Sequence, residues 1–444
     1  MNIDILRYEF IHFCRNKGKV YSFFFFLALC IYALVSDYGL MSQQLNTISK
    51  IEGHEQQEIS EVKSWFKSGK MGPEDKSWVN IEDPYWAIIY TPSFIFKSPS
   101  KLFPLGLGQS ENYGYYKKIS RWSSTYDTDM IEEISNYEKL ANGNLDFSFL
   151  VIFILPILLI ILTYNINGLE KDLNFDKLIS IQTKKINHWI LSRLLFYFLS
   201  VIITINFLIS SVFLISGSLI EIDNIIKIVL LSDIYILFFF LIFYLIIITA
   251  RSTHSILFKM ITLWLVLCVI IPGSVHQYAS LKYPVNYNTD FLDANRKETY
   301  EIFKLENDTL FSMIKNVYPN LYMSEKSIDS KPSNKIIRRS ISSIVNQLQI
   351  DAATEIESQN EMKNNFIKKS YFFNPVVFVQ NTWNSCTSND YYSFKTYRNR
   401  IQNHISKRNE LLVFELWNQE KVNLETYEDY LIELKPKNKN ESNE

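Results

Sequence analysis

Five stretches of this chain are apolar for about as long as a helix needs to cross a bilayer, roughly 20 residues for a hydrocarbon core near 30 Å. They run from Val20 to Val35, Phe147 to Tyr164, Trp189 to Ile215, Ile228 to Ala250 and Ile256 to Pro272. Backbone groups in hydrocarbon must satisfy one another within the segment, so the runs are read as helices. Long polar stretches separate them. The predicted fold is therefore an α-helical polytopic membrane protein, with about five transmembrane helices and two α-rich extracytoplasmic regions.

The division that follows is a cytoplasmic interfacial helix over 1–19, a first span over 20–36 and a first extracytoplasmic region over 37–146. A second span covers 147–164, a cytoplasmic loop 165–188, and spans three to five 189–275. A second extracytoplasmic region covers 276–434, and a polar tail 435–444 reads as disordered. The first run follows a charged start, as a signal peptide would. Ser36, Asp37 and Tyr38 succeed it instead of a small-x-small cleavage site, so an uncleaved span is expected.

Cationic residues near span ends set the orientation. Arg7, Arg15, Lys17 and Lys19 precede the first span, and Lys171, Lys177, Lys184 and Lys185 lie between the second and third. Arg251 and Lys259 bracket the turn between the fourth and fifth. The turn between the third and fourth carries Glu221 and Asp223, with Lys227 at its edge. Every cationic loop then faces one side. This places the N-terminus in the cytoplasm, the C-terminus outside, and both large polar regions outside.

Within that frame, residues 2–19 read as an amphipathic helix on the inner leaflet. Ile3, Leu6, Phe10 and Phe13 recur at helical spacing, with Arg7, Arg15 and Lys17 available to lipid phosphates. The loop 165–188 carries Leu173, Phe175, Leu178 and Ile179, apolar enough to dock on a cytoplasmic partner. A solvated turn with positive-inside lysines is the equal alternative. Helical stretches are expected over 43–67, 127–140, 293–316 and 334–369, with a loop around 324–333. Leu411 to Leu416 is a short apolar patch interrupted by Glu415, too short to return the chain through lipid.

Polar residues inside spans are candidate functional groups. Asn206 lies in the third span and Asp233 in the fourth, and both are candidates for a translocation path. Asp233 reads as lying near the outer edge, at a different depth from Asn206. That mismatch ranks an intramembrane enzyme last among the functional readings.

Recognisable bond-making chemistry is absent from the sequence. No GxxxxGK[ST] loop occurs, since Gly18-Lys19 and Gly69-Lys70 lack the upstream glycine and the downstream hydroxyl. HExxH and GxSxG are missing too. The six histidines are scattered across both membrane faces, and no metal site is expected. Cys14, Cys30, Cys268 and Cys386 show no CxxC spacing and read as four separate thiols. The formal net charge of −1 provides no global field for nucleic acid.

Three stretches carry a family resemblance. The first is Ser98-Pro99-Ser100-Lys101-Leu102, continuing through Gly106-Leu107-Gly108-Gln109-Ser110-Glu111 to Tyr115-Tyr116. The second is Leu145-Asp146-Phe147 through Leu155-Pro156-Ile157, then Asn165, Leu169-Glu170-Lys171 and Leu178. The third is Phe373-Asn374-Pro375 through Gln380, then Asp390-Tyr391 and Phe394 to Arg398. In this order, relative to the spans, they resemble the bacterial type-2 ABC export permeases, in particular the subgroup with two large extracytoplasmic loops named for multicopper-enzyme maturation.

The resemblance implies a permease in the bacterial cytoplasmic membrane that works in a pair above two ABC ATPase subunits. ATP and Mg would be bound by those partners and none by this chain. Residues 2–19 match the family's elbow helix. Glu170, Lys171, Phe175 and Leu178 fall in the element that contacts the ATPase. The family's glycine-threonine-leucine step is replaced here by Leu173-Asn174-Phe175-Asp176, and a sixth span has no counterpart. The missing span favours a heteromeric permease, with a second subunit supplying the packing surface. A membrane-anchored scaffold or sensor, binding a partner through its extracytoplasmic regions, is the reading from a different functional class.

Overall fold

A computed structural model describes residues 3–126, 145–173, 175, 179, 181, 186–216, 221–250, 252–285, 294–323, 332–418 and 420–436. The expected helix over 127–140, most of the loop around 324–333 and most of the tail lie outside the described residues.

Among the described residues, five helices are long and apolar enough to cross a membrane. The chain opens with α1 (Ile3–Arg15) and turns at Asn16, whose extended backbone and side chain cap the next helix by accepting from Lys19 N at 3.2 Å. The amphipathic helix therefore ends at Arg15, and Lys17 to Lys19 belong to the first span. That span, α2 (Lys17–Ser68), is 52 residues long. The charged stretch 43–67 continues the same helix, and no proline interrupts it. It stops at Gly69, which takes a left-handed φ of 70°.

Helix α3 (Pro84–Ile89) has Asp83 as its N-cap and proline in its first turn. Two short strands follow, β1 (Phe94–Phe96) and β2 (Tyr116–Lys118), antiparallel with Ile95 opposite Lys117. The remaining candidate spans are α4 (Phe147–Asp172), α5 (Ile186–Ser216), α6 (Ile222–Thr249) and α7 (Thr253–Lys282).

Proline shapes α4. Pro156 has no N–H to offer the Ile152 carbonyl, and a π turn spans Leu150–Ile154. The Ile152 carbonyl is satisfied by Tyr235 Oη at 2.6 Å, and that of Phe153 by Trp264 Nε1 at 2.9 Å. Neighbouring helices thus repair the backbone that proline opens, as hydrocarbon requires. A large core of Leu, Ile, Val and Phe from α2 and α4–α7 holds the bundle together.

Among the described residues seven α-helices follow: α8 (Ala294–Lys304), α9 (Asn307–Val317), α10 (Asn334–Arg339), α11 (Ile341–Lys369), α12 (Pro375–Cys386), α13 (Tyr391–Asn418) and α14 (Leu424–Glu433). The helical stretches expected over 293–316 and 334–369 each consist of two helices, divided at Leu305-Glu306 and at Ser340.

The two long polar regions do not form separate domains. Val62, Trp65, Ile81 and Ile88 from the first share one core with Ile302, Ile341, Leu412 and Trp417 from the second. Leu411, Leu412, Val413 and Leu416 are the buried face of α13, and Glu415 accepts a hydrogen bond from Tyr430 Oη at 2.5 Å. Both regions therefore build one polar domain at one end of the bundle. The four cysteines are free, with Cys14 exposed and the other three buried.

Candidate functional site

A buried ionic junction stands at the end of the bundle opposite the polar domain. Glu9 on α1 has no exposed surface. Its Oε1 is ion-paired with Arg193 Nε on α5, and its Oε2 accepts from Tyr197 Oη at 3.0 Å. Arg193, whose side chain is 4% exposed, also donates through Nη1 to Glu170 Oε1 at 2.5 Å. Lys19 on α2 donates to Tyr197 Oη at 3.1 Å and lies 4.4 Å from that ring's centroid. Two carboxylates thus face two cations, which offsets the cost of removing each charge from water. His12, on the same α1 face, has its pKa lowered chiefly by burial.

The end of α4 is the hub of this junction. Glu170 reaches α5 through Arg193. Lys171 Nζ donates to the Ala250 carbonyl at 2.7 Å, closing the C-terminal end of α6. Asp172 accepts from Thr253 N at 3.3 Å, at the start of α7. Gly168 lies against α7 so closely that a Cβ there would stand 2.6 Å from Thr253 Oγ1. Three consecutive charged residues, Glu170 to Asp172, therefore fasten one helix end to four others.

Phe175 makes no comparable anchor. It is 55% exposed, and Leu169, Leu173 and Ile181 are exposed as well. Leu178 lies outside the described residues. Of the residues predicted from the sequence, the structure brings Glu170 and Lys171 into the junction and leaves Phe175 on its surface. Sequence reasoning missed Glu9, Lys19, Tyr197 and Arg193 as site residues. Two signals were present. Arg193 is the lone cation inside the third apolar run, and Glu9 sits at helical spacing between Leu6 and Phe13 on the apolar face of α1.

The second predicted pair requires a correction. Asn206 Nδ2 lies 3.1 and 3.3 Å from the two carboxylate oxygens of Asp233. The two residues are therefore at one depth. Helices α5 and α6 run antiparallel, with Asn206 some three turns from the end of one and Asp233 some three turns from the start of the other. Asp233 is thus well inside the span and not at its outer edge. Both are half-buried, and Ile203, Phe207, Leu230 and Ile234 are exposed around them.

A third assembly forms where α4 enters the polar domain. Asp146 caps α4 by accepting from Phe149 N at 2.8 Å, and also accepts from Ser148 Oγ and from Leu107 N. Burial pushes its carboxyl above the usual range, against the pull of these donors. Trp383 Nε1 donates to the Leu105 carbonyl at 2.8 Å, and Asn389 Nδ2 to that of Gly106 at 2.8 Å. Gly108 takes a left-handed φ of 51°, and a Cβ there would meet the Asn389 carbonyl oxygen at 2.5 Å. Parts of the first two stretches that carried the family resemblance converge at this latch, with Trp383 and Asn389 reaching it from between the segments of the third.

Among the described residues, no three His, Cys, Asp or Glu side chains come together as metal ligands would. No protein-family model, curated protein or solved structure matches the chain.

Proposed function

We propose that the chain is the membrane-spanning permease subunit of an ATP-driven ABC exporter in a bacterial cytoplasmic membrane. A separate ATPase would bind ATP and Mg, and a second permease subunit, most simply a different chain, would complete the membrane part. The polar domain would lie outside the cell and the ionic junction at the cytoplasmic face. The observation that carries this reading is Arg193 bridging Glu9 and Glu170, because it makes the end of α4 a point from which force reaches α1 and α5 as well as α6 and α7.

The exposed residues Leu169, Leu173, Phe175 and Ile181 offer an apolar surface to a cytoplasmic partner. A push on that surface would enter α4 at Glu170. It would pass to α1 and α5 through Arg193, and to α6 and α7 through Lys171 and Asp172. At the far end of α4 the Asp146 latch would carry the displacement into the polar domain. A two-state rocking of the bundle then needs only an ATPase whose nucleotide affinity differs between the states. The Asn206–Asp233 pair is the polar group on the spans that a passing cargo would meet.

Mild-detergent purification of tagged protein tests this reading. An ATPase subunit should co-purify, and Glu170→Ala and Phe175→Ala should abolish export. Absence of any ATPase, together with export that survives both substitutions, would overturn it. The shared core of the two polar regions favours a second reading, a membrane-anchored scaffold or sensor. Under it, a partner would be captured by the polar domain alone.

A further inference from the structure

Helix α12 belongs to the polar domain by sequence but packs into the membrane bundle. Its Val376, Val379 and Trp383 join the bundle core, and Val377 packs against Val275 and Ala279 of α7. The Trp383 ring is 6.2 Å from that of Phe147, in the first turn of α4. These contacts fix α12 at the level where the spans leave the apolar layer.

The aromatic residues around it are turned outward. Phe372 is 99% exposed, and Phe373 and Phe378 are also exposed. Large apolar rings left in water forgo the free energy that burial would give them. At a bilayer boundary the same rings find an apolar medium.

Directly beside them is a polar cavity of about 240 Å³. Gln109, Lys368, Tyr371, Asn381, Asn384 and Asp390 line it. Lys368 and Asp390 cancel in charge. The Asn381 carboxamide and the Asp390 carboxylate stand in the cavity wall and are half-exposed, so they offer acceptor oxygens to a ligand that donates. Tyr371 joins the two features. Its ring stacks edge-on to Phe378 at 5.5 Å, and its hydroxyl accepts from Asn381 Nδ2 at 2.9 Å.

We propose that this cavity binds the neutral, hydroxyl-bearing headgroup of a membrane lipid, a sugar or glycerol unit, with the lipid's chains lying along Phe372, Phe373 and Phe378. The volume is below the ~300–1,000 Å³ of sites for drug-sized ligands and suits one ring. Hydroxyl donors would meet the Asn381 carboxamide oxygen and the Asp390 carboxylate. The exposed phenylalanines select a lipid over the free sugar.

The full chain, reconstituted in phosphatidylcholine nanodiscs with and without monoglucosyl diacylglycerol, provides the test. Native mass spectrometry after transfer to mild detergent should show the glucosyl lipid retained in preference to phosphatidylcholine. Asn381→Leu, which removes a polar lining group, should lower retention about fivefold, the loss of one hydrogen bond. Ser385→Trp should do the same by filling the cavity from its exposed rim, without disturbing buried packing. The double substitution Phe372→Ser and Phe373→Ser should also lower it, and methyl glucoside should not compete. Equal retention of the two lipids, indifference to both lining variants, or competition by methyl glucoside at matching concentration would overturn the proposal. No ATPase enters this measurement, so its failure would leave the export reading untouched.

Discussion

Glu9 is held by Arg193, 184 residues further along the chain, in a pair with almost no exposure to solvent. Removing one partner of such a pair strands a charge in a low-dielectric site, at a cost of about 3–5 kcal/mol. Arg193→Met should therefore lower the thermal midpoint in detergent sharply. Adding Glu9→Gln to that variant should restore part of the loss. A double variant no more stable than Arg193→Met alone would mean that the pair does not act as a unit.

Asn206 and Asp233 should behave as a coupled pair of moderate strength. Interhelical polar contacts in membranes average about 0.6 kcal/mol, with a ceiling near ~1.7 kcal/mol. A double-mutant cycle with Asn206→Leu and Asp233→Leu, read by unfolding in bicelles, should return a coupling in that range. Strict additivity would remove the contact from the account.

Two glycines should respond in opposite directions to alanine. At Gly108 the backbone is left-handed and the new Cβ would collide with the Asn389 carbonyl. Gly108→Ala should destabilise the protein by about 1–3 kcal/mol. Gly53 lies within α2 with open space around it, so Gly53→Ala should stabilise it by ~0.5–1 kcal/mol. Melting curves of the two variants measured side by side decide the matter.

The polar domain should weaken in acid through His404. This residue is buried against Ser93, and its pKa falls from 6.5 to about 4, chiefly through burial, with Arg408 and Lys407 adding to the effect. The unfolded chain takes up a proton near 6.5 and the folded chain only near 4. Stability is therefore full above 6.5 and is lost as pH falls from 6.5 to 4, by about 3 kcal/mol in all. His404→Gln should flatten that part of the pH–stability profile.

Single cysteines at Phe175 and Trp122, in a cysteine-free background, test the sidedness. Both positions are exposed, one beyond the ionic junction and one on the polar domain. A membrane-impermeant maleimide applied to right-side-out cells should label only the cysteine at position 122. Labelling of both would break the five-span arrangement.

The spans were legible because lipid imposes a simple rule of length and apolarity, which the five runs obey. Glu170 and Lys171 could be singled out only through the resemblance, and nothing local tells that Glu170 pairs with a residue of α5. The depth of Asp233 was misjudged because the apolar run begins at Ile228, whereas the helix begins at Ile222. Counting from the run put the carboxylate too near the surface. The single polar domain was illegible for a different reason. Its core joins residues more than 200 positions apart, and periodicity within a segment says nothing of such partners.

The unbroken α2 gives the molecule a rod. At 1.5 Å per residue its length is ~78 Å, from the Asn16 corner to the core around Trp65. A tilt of about 5° at that corner would sweep the Trp65 end through ~7 Å. A small swing near the ionic junction is thus amplified, by leverage alone, into a displacement larger than a side chain at the far tip.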